Sequence, residues 1–376
     1  MSWTGFAAEN MAELTSNIEH LPEPMTEEVL VCPLCGNADF TLKFRTHDHL
    51  YRLPGEFELV ECNGCGLFRM SPRPTLDLIG MYYPDNYGAY RTPDVLPPRG
   101  GALRAAVRER IRHSVLSSLG YDVGQLSLWQ RLLQPWFVKH FYSQASYSYG
   151  DRFPRFVPNG KALEVGCGNC TYLGLLKRHG WTVTGVDMST QAAIQAKAAF
   201  DIDVFVGQLE SADLEAESYD YIHLSHVVEH FFDPLETMRI ISHLLKPGGI
   251  AYIEVPNGAG LGAEMSGEYW YGWDPPRHLY TFTPDTCRML FERSGLVLKR
   301  MTTGLTDTFD WEIVFRREDE VGTISDRPPK LNVADAEKAK AKCIEAEKLF
   351  TERPLSGDYI ACWVEKPVSI RNAQAV

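Results

Sequence analysis

The 376-residue chain is 44% hydrophobic and carries a formal net charge of −12. That length and apolar share support a substantial core, enough for one large domain with additions or for two or three modules. The acidic balance argues against general capture of nucleic acid, and the sequence shows neither a secretion signal nor an uninterrupted transmembrane run, so a cytoplasmic chain without a membrane partner is expected.

Residues 1–28 form an acidic segment containing Glu9, Glu13, Glu19, Glu23, Glu27 and Glu28. Residues 29–75 carry the strongest local signal, C-P-L-C-G at Cys32–Gly36 paired with C-N-G-C-G at Cys62–Gly66. Each pair places two thiols on a tight knuckle, and Cys32, Cys35, Cys62 and Cys65 together fill the shell of one tetrahedral ion. The expected ion is a structural zinc, with iron as the alternative in a purified sample. A filled shell leaves no position for water, so the chemistry is expected elsewhere.

Residues 76–154 read as a linker and helical cap. Met81, Tyr82, Tyr83, Tyr87 and Tyr90 either pack the cysteine module against the main domain or line the mouth of a pocket, and Pro93, Pro97, Pro98, Gly100 and Gly101 mark a connection. Leu103, Val107, Ile111, Val115 and Leu119 recur every four residues and predict a helix over 102–119. Its Arg104, Arg108, Arg110 and Arg112 make either a solvated basic face or an anion-binding surface. Apolar and aromatic residues from Leu126 to Tyr149 predict one or two further helices that cover the next domain or join two subunits of a homodimer.

From residue 155 strands and helices alternate. Strands are predicted at 161–165, 182–187, 203–206, 219–224 and 250–255, and helices at 171–179, 190–199, 233–245 and 284–294. This pattern implies a Rossmann-like α/β sheet, mainly parallel, with ligands above the carboxyl ends of its strands. Gly166-Cys167-Gly168 follows the first strand and lets backbone approach a ligand closely. A dinucleotide fingerprint would favour glycine three residues after Gly168, where Thr171 stands. Asp187 ends the next strand and can accept both hydroxyls of a ribose, while Ser189 and Thr190 can cap the following helix.

E-V-G-C-G-N-C, V-D-M-S, G-Q-L-E at Gly207–Glu210, Y-D-Y-I-H-L-S-H-V-V-E-H and L-K-P-G-G-I-A-Y-I-E-V-P-N together resemble the class I S-adenosylmethionine-dependent methyltransferases over roughly residues 155–367. The resemblance implies a seven-stranded sheet with an antiparallel last strand, formed by Asp358–Glu365 after a sixth strand at Gly295–Met301. It implies that Glu164 with the Gly166, Cys167 and Gly168 backbone holds the amino-acid part of S-adenosylmethionine. It places Asp187 on the ribose, Met188, Gln208 and Leu209 around adenine, and Ser225 and His226 near the sulfonium or the acceptor. An insertion near 305–356 includes an Ala-, Lys- and Glu-rich helix at Val333–Phe350, and residues 368–376 form a tail.

E-Y-W-Y-G-W-D-P-P-R-H-L-Y-T-F-T-P, Glu268–Pro284, bears on the acceptor. Trp270, Tyr271 and Trp273 can enclose an apolar or sugar-like surface with Arg277 and His278 as polar handles, or they cover the sheet with Arg277 paired to an acid. D-P-P-R-H-L-Y-T-F-T-P resembles a subgroup of small-molecule methyltransferases with a cysteine-rich N-terminal module, some acting on deoxysugars. The expected reaction is in-line methyl transfer to a small biosynthetic metabolite. Its base candidates are His278, then His226 and His230, and its acceptor pocket is expected to include Tyr82, Tyr83, Glu229, Trp270, Tyr271, Trp273 and Arg277. The alternatives are a non-catalytic S-adenosylmethionine-binding scaffold and a methyltransferase whose cysteine module recognises a macromolecule.

Overall fold

The structure, a computed structural model, describes residues 26–84, 87, 102–141, 152–306, 308–317 and 331–368. The acidic 1–25, Tyr90 with most of the Pro/Gly connection, the predicted helical residues 142–149, residues 318–330 of the insertion and the tail from 369 lie outside the described residues.

The N-terminal module contains β1 (Thr26–Glu27), β2 (Phe40–Thr46), β3 (Phe57–Cys62), β4 (Phe68–Met70) and β5 (Arg73–Pro74). Strands β2, β3 and β4 form an antiparallel sheet, and β1 pairs with β5. Helices α1 (Ala102–Ser118) and α2 (Leu128–Phe141) come next. Val115 of α1 and Leu119 just after it pack in a buried cluster with the large domain and Ile111 is buried, whereas Val107 of the same stripe and Leu128, Trp129, Leu132 and Leu133 of α2 are exposed. Arg110 is exposed, Arg112 pairs with Glu109 at 2.9 Å, and the side chains of Arg104 and Arg108 lie outside the described residues.

The large domain runs through β6 (Lys161–Val165), α3 (Thr171–Arg178), β7 (Thr182–Asp187), α4 (Thr190–Phe200), β8 (Val204–Val206), β9 (Tyr219–Ser225), α5 (Pro234–Leu244) and β10 (Leu245–Pro256). It continues with α6 (Leu261–Ser266), β11 (Tyr280–Thr281), α7 (Pro284–Arg293), β12 (Val297–Gly304), α8 (Phe309–Phe315), α9 (Val333–Glu352) and β13 (Tyr359–Glu365). The seven-stranded sheet has the order β12-β13-β10-β9-β6-β7-β8, with β13 antiparallel to both neighbours. The expected Rossmann-like sheet is therefore present, with its reversed last strand. Strand β10 starts at Leu245 rather than 250, because the K-P-G-G turn joins it through a bulge between Leu245 and Ile250. Strand β12 runs on to Gly304 because its pairing with β13 extends as far as Tyr359.

The two parts are sewn together. Strand β11, from the segment after β10, pairs antiparallel with β4 and makes the module's sheet four-stranded. Cys32, Leu34, Cys62 and Leu67 belong to the same buried cluster as Leu224, Val255, Leu279 and Phe282 of the large domain. The insertion packs on the large domain: Phe309, Ala339 and Ala346 lie with Leu261, and Trp311 stacks on Tyr271 at 5.0 Å between ring centroids.

Candidate active site and cysteine centre

At the cysteine centre the two knuckles have matching geometry. Gly36 N–H donates to Cys32 O and Gly66 N–H to Cys62 O, both at 2.8 Å, and both glycines take φ of +77°, where a side chain would be strained. Cys32 and Cys65 Sγ are 3.6 Å apart and Cys35 and Cys62 Sγ 3.5 Å. Ligands about 2.3 Å from a tetrahedral ion sit about 3.8 Å apart, so these four sulfurs fit one zinc. All four ligand atoms lie within 4.8 Å of one another.

On the cofactor side, the loop after β6 turns through Gly166 (φ +67°) and Gly168 (φ +50°). A Cβ on Gly166 would lie 2.5 Å from Val227 Cγ2, so the glycine brings the β6 and β9 loops together. Asp187, at the end of β7, is buried; its Oδ2 accepts from Gly168 N–H and its Oδ1 from Ser189 N–H, each at 2.8 Å. Burial raises its pKa, opposed by those backbone amides. The carboxylate thus fixes the glycine loop at the carboxyl edge of the sheet. Ser189 caps α4 by accepting from Ala192 N–H at 3.2 Å. Met188 is exposed, Gln208 half-buried and Leu209 buried in the core; Cys167 is buried beside the loop.

Glu164 is buried, and its Oε1 lies 2.9 Å from His223 Nδ1. Burial pushes the Glu164 carboxyl well up, and burial with the nearby Arg152 charge pulls His223 down to about 3, so both shifts favour neutral forms. Oε2 of Glu164 has no hydrogen-bond partner. An ammonium ion arriving there would satisfy that oxygen and favour the ionised acid. His223 is stacked between Tyr172 and Tyr252, with centroid separations of 4.1 and 5.3 Å.

At the end of β9 the Ser225 hydroxyl donates to Glu254 Oε1 at 3.1 Å. His226 comes next with φ of +55°, its half-exposed ring set between carboxylates: Nδ1 is 3.4 Å from Glu229 Oε1 and Nε2 3.4 Å from Glu254 Oε1. Burial opposes its charge, but the two carboxylates outweigh this and hold it up to about 10. Glu254 is pulled down to about 2; burial raises it, and His226, Arg152 and Tyr252 more than offset that. Glu229 is fully buried. His230 Nδ1 lies 2.8 Å from Arg277 O and 2.9 Å from Tyr83 Oη, and His278 Nδ1 lies 2.8 Å from Gly272 O. Burial lowers His230 to about 4.

Other residues expected in the acceptor pocket stand in the joint between the two parts. Arg277 is fully buried; Nη2 donates to Asp48 Oδ1 at 2.6 Å and to Asp274 Oδ1 at 2.7 Å, and Nη1 donates to Tyr82 O at 3.1 Å. The guanidinium is therefore paired to acids, and it is not an open handle for a ligand. Trp270 and Trp273 are buried edge to face at 5.0 Å, Trp273 also meeting Phe44 and Phe68 of the module. Tyr82 is buried and donates to Pro54 O at 2.7 Å. The packing reading thus holds for these four side chains, because strand β11 draws their loop against the module. Tyr83, half-buried on His230, and Tyr271, stacked on Trp311, remain nearer the surface. Sequence reading missed Asp48, Asp274, Arg152 and Glu254. Asp274 opens the D-P-P-R-H run and Glu254 lies in the I-E-V-P strand, so both carried a signal; Asp48 lies outside any motif and carried none.

The strand order, the glycine turn at the carboxyl edge and the acid ending β7 meet a match to known proteins over the same stretch. Residues 140–300 fit a family model described as a methyltransferase domain. This part of the chain is a class I methyltransferase domain. Among curated proteins it is 33% identical over 123 residues to a ubiquinone biosynthesis O-methyltransferase of Caulobacter vibrioides, covering 30% of this chain and 49% of that protein. The counterpart of that name from Escherichia fergusonii is 33% identical over 118 residues, covering 29% and 49%. The chain thus spans about half the length of the curated relatives it matches. A solved S-adenosylmethionine-dependent methyltransferase from Archaeoglobus fulgidus aligns over 55% of this chain and 86% of its own, at 21% identity and a TM-score of 0.38. Among the described residues no helix is long and apolar enough to cross a membrane.

Proposed function

We propose that the domain transfers the methyl group of S-adenosylmethionine to a small biosynthetic metabolite by in-line displacement, with the cysteine module serving as a structural zinc site. The observation that carries the reading is one of juxtaposition. The glycine loop and Asp187 stand at the carboxyl edge of the sheet, and His226, Glu229, His230 and His278 stand at the same edge beyond β9. In this reading Glu164 and the loop take the methionine part, Asp187 the ribose and Gln208 with Leu209 the adenine.

The histidine and carboxylate cluster then activates the acceptor. His278 is the first candidate to draw off its proton, with His226 and His230 next, and Tyr83, Glu229 and Tyr271 beside it. Much of the acceleration comes from holding nucleophile, methyl carbon and sulfur in line. The names of the curated relatives, both O-methyltransferases, favour oxygen as the atom attacked. A small acceptor, a sugar or another natural-product intermediate, also agrees with the acidic charge of the chain. The test is turnover of labelled S-adenosylmethionine against pools of small hydroxylated metabolites, with mass analysis of the product. Tight binding of S-adenosylmethionine with no transfer to any pool would favour the scaffold reading instead.

A further inference from the structure

The cluster beside β9 leaves hydrogen-bonding capacity unfilled: His226, its Nδ1 3.4 Å from Glu229 Oε1, balances the charge of that carboxylate from one side without hydrogen-bonding it. Glu229 is 0% exposed, and neither of its carboxylate oxygens has a hydrogen-bond partner. A buried, ionisable group left in that state is costly unless something is bound to it. The two histidines facing it make no hydrogen bond to it. Arg277 O and Gly272 O are carbonyl oxygens and can only accept, so His230 and His278 each carry their hydrogen on Nδ1. With Nδ1 committed to a carbonyl, Nε2 is the ligand atom that each ring can offer. His278 Nε2 stands 3.9 Å from Glu229 Oε1, too far for a hydrogen bond, and the two rings meet edge to face at 4.8 Å between centroids.

Glu229, His230 and His278 can each offer an electron pair, and their ligand atoms all lie within 4.8 Å of one another. Ligand atoms about 2.1 Å from a shared ion sit about 3 to 3.5 Å apart, a spacing reached here by small side-chain movements. Arg277 O and Gly272 O already hold the other nitrogen of each ring. A ligating histidine usually gives its remaining N–H to a carbonyl or a carboxylate, which fixes the tautomer and orients the ring.

We propose that Glu229 with Nε2 of His230 and His278 binds a divalent transition-metal ion, distinct from the cysteine centre. Two imidazoles and one carboxylate suit zinc, iron(II), cobalt(II) or manganese(II), and three protein ligands leave positions open. Those positions fit an acceptor that offers two neighbouring oxygens, whose bound hydroxyl is acidified and loses its proton to solvent. This part of the proposal rests on the methyl-transfer reading, and it changes His278 from the base into a ligand.

The probe is the metal alone. Full-length protein stripped of metal is reloaded with cobalt(II), and bound metal is counted alongside its absorption spectrum. The wild type should hold two equivalents, one showing thiolate-to-cobalt charge transfer and one with only the weaker bands of nitrogen and oxygen ligation. Glu229→Gln, which keeps shape, and His278→Ala should each lose the second equivalent while retaining the thiolate bands, which report that the chain is folded. His230→Asn serves if either variant loses both. A single equivalent in the wild type, or a second one that survives all these substitutions, overturns the proposal. Failure of the methyl-transfer reading is seen separately, as loss of S-adenosylmethionine binding in calorimetry with two metals still counted.

Discussion

The cofactor edge and the joint around Arg277 solve opposite problems with the same kinds of residue. At the cofactor edge Asp187 spends its oxygens on backbone amides of nearby loops, and Glu164 retains an unpartnered oxygen. In the joint Asp48 and Asp274 surround Arg277 until its charge is matched and buried. The first region leaves polar capacity over for a ligand; the second uses its capacity up in connecting two parts of the chain. A charged residue in a conspicuous motif is thus read correctly only when its partners are known.

The largest effect that tests this contrast belongs to the cysteine centre. Replacing Cys62 and Cys65 by serine should remove about one metal per chain and destabilise more than the module, because Cys32 and Cys62 lie in the same buried cluster as the large domain. Chelation and subsequent thermal unfolding should show the transition of the large domain falling as well. An unchanged transition would separate the two parts.

Next in size, Arg277→Met leaves Asp48 and Asp274 facing each other without their cation. A cost of about 3 to 5 kcal/mol is expected from denaturant unfolding. Arg277→Lys should recover little, since a single ammonium cannot reach both acids and the Tyr82 carbonyl as the guanidinium does. Full recovery by lysine would make the joint a matter of charge alone.

On the reactive side, His278→Ala should lower the single-turnover rate roughly 100-fold while S-adenosylmethionine affinity stays the same. If stability falls and the rate does not, His278 belongs with the joint. Asp187→Ala should weaken S-adenosylmethionine by about 1.5 to 3 kcal/mol in calorimetry. Because Asp187 also holds Gly168, the substitution should additionally speed amide exchange in the glycine loop. Unchanged affinity would remove this residue from the ribose site.

The smallest effect is a pH dependence. Glu254 is depressed from 4.5 to about 2 in the folded chain. Its folded-state pKa lies below the unfolded value, so its stabilisation is present above about pH 4.5 and is lost as pH falls toward about 2. Glu254→Gln should flatten that acid limb, read from urea midpoints across the window.

The repeating parts of the fold were legible in the sequence because each carries a periodic or positional signal. The strands at 161–165 and 182–187 fall where the apolar runs place them, and the turn Gly166-Cys167-Gly168 stands at the predicted edge. The cysteine pairs were legible because knuckle spacing and coordination chemistry constrain each other. The joint was not, since the pairing of β11 with β4 joins segments far apart in sequence through a strand of two residues, too short to show alternation. Trp270, Trp273 and Arg277 were therefore conspicuous while their destination stayed hidden. Asp48 shows the same limit from the other side, as an acid outside every motif that completes a charge pair with a residue 229 positions away.

That two-residue strand also sets a schedule for synthesis. Thr281 must reach Phe68 before the small sheet has all its strands, so the module that leaves the ribosome first is among the last to be finished. Its knuckles are local and can take up metal early, but the edge of β4 stays unpaired while more than half of the chain is still being made. A nascent chain arrested before Tyr280 should therefore expose that edge to chaperones or to other chains, and release past Thr281 should close it.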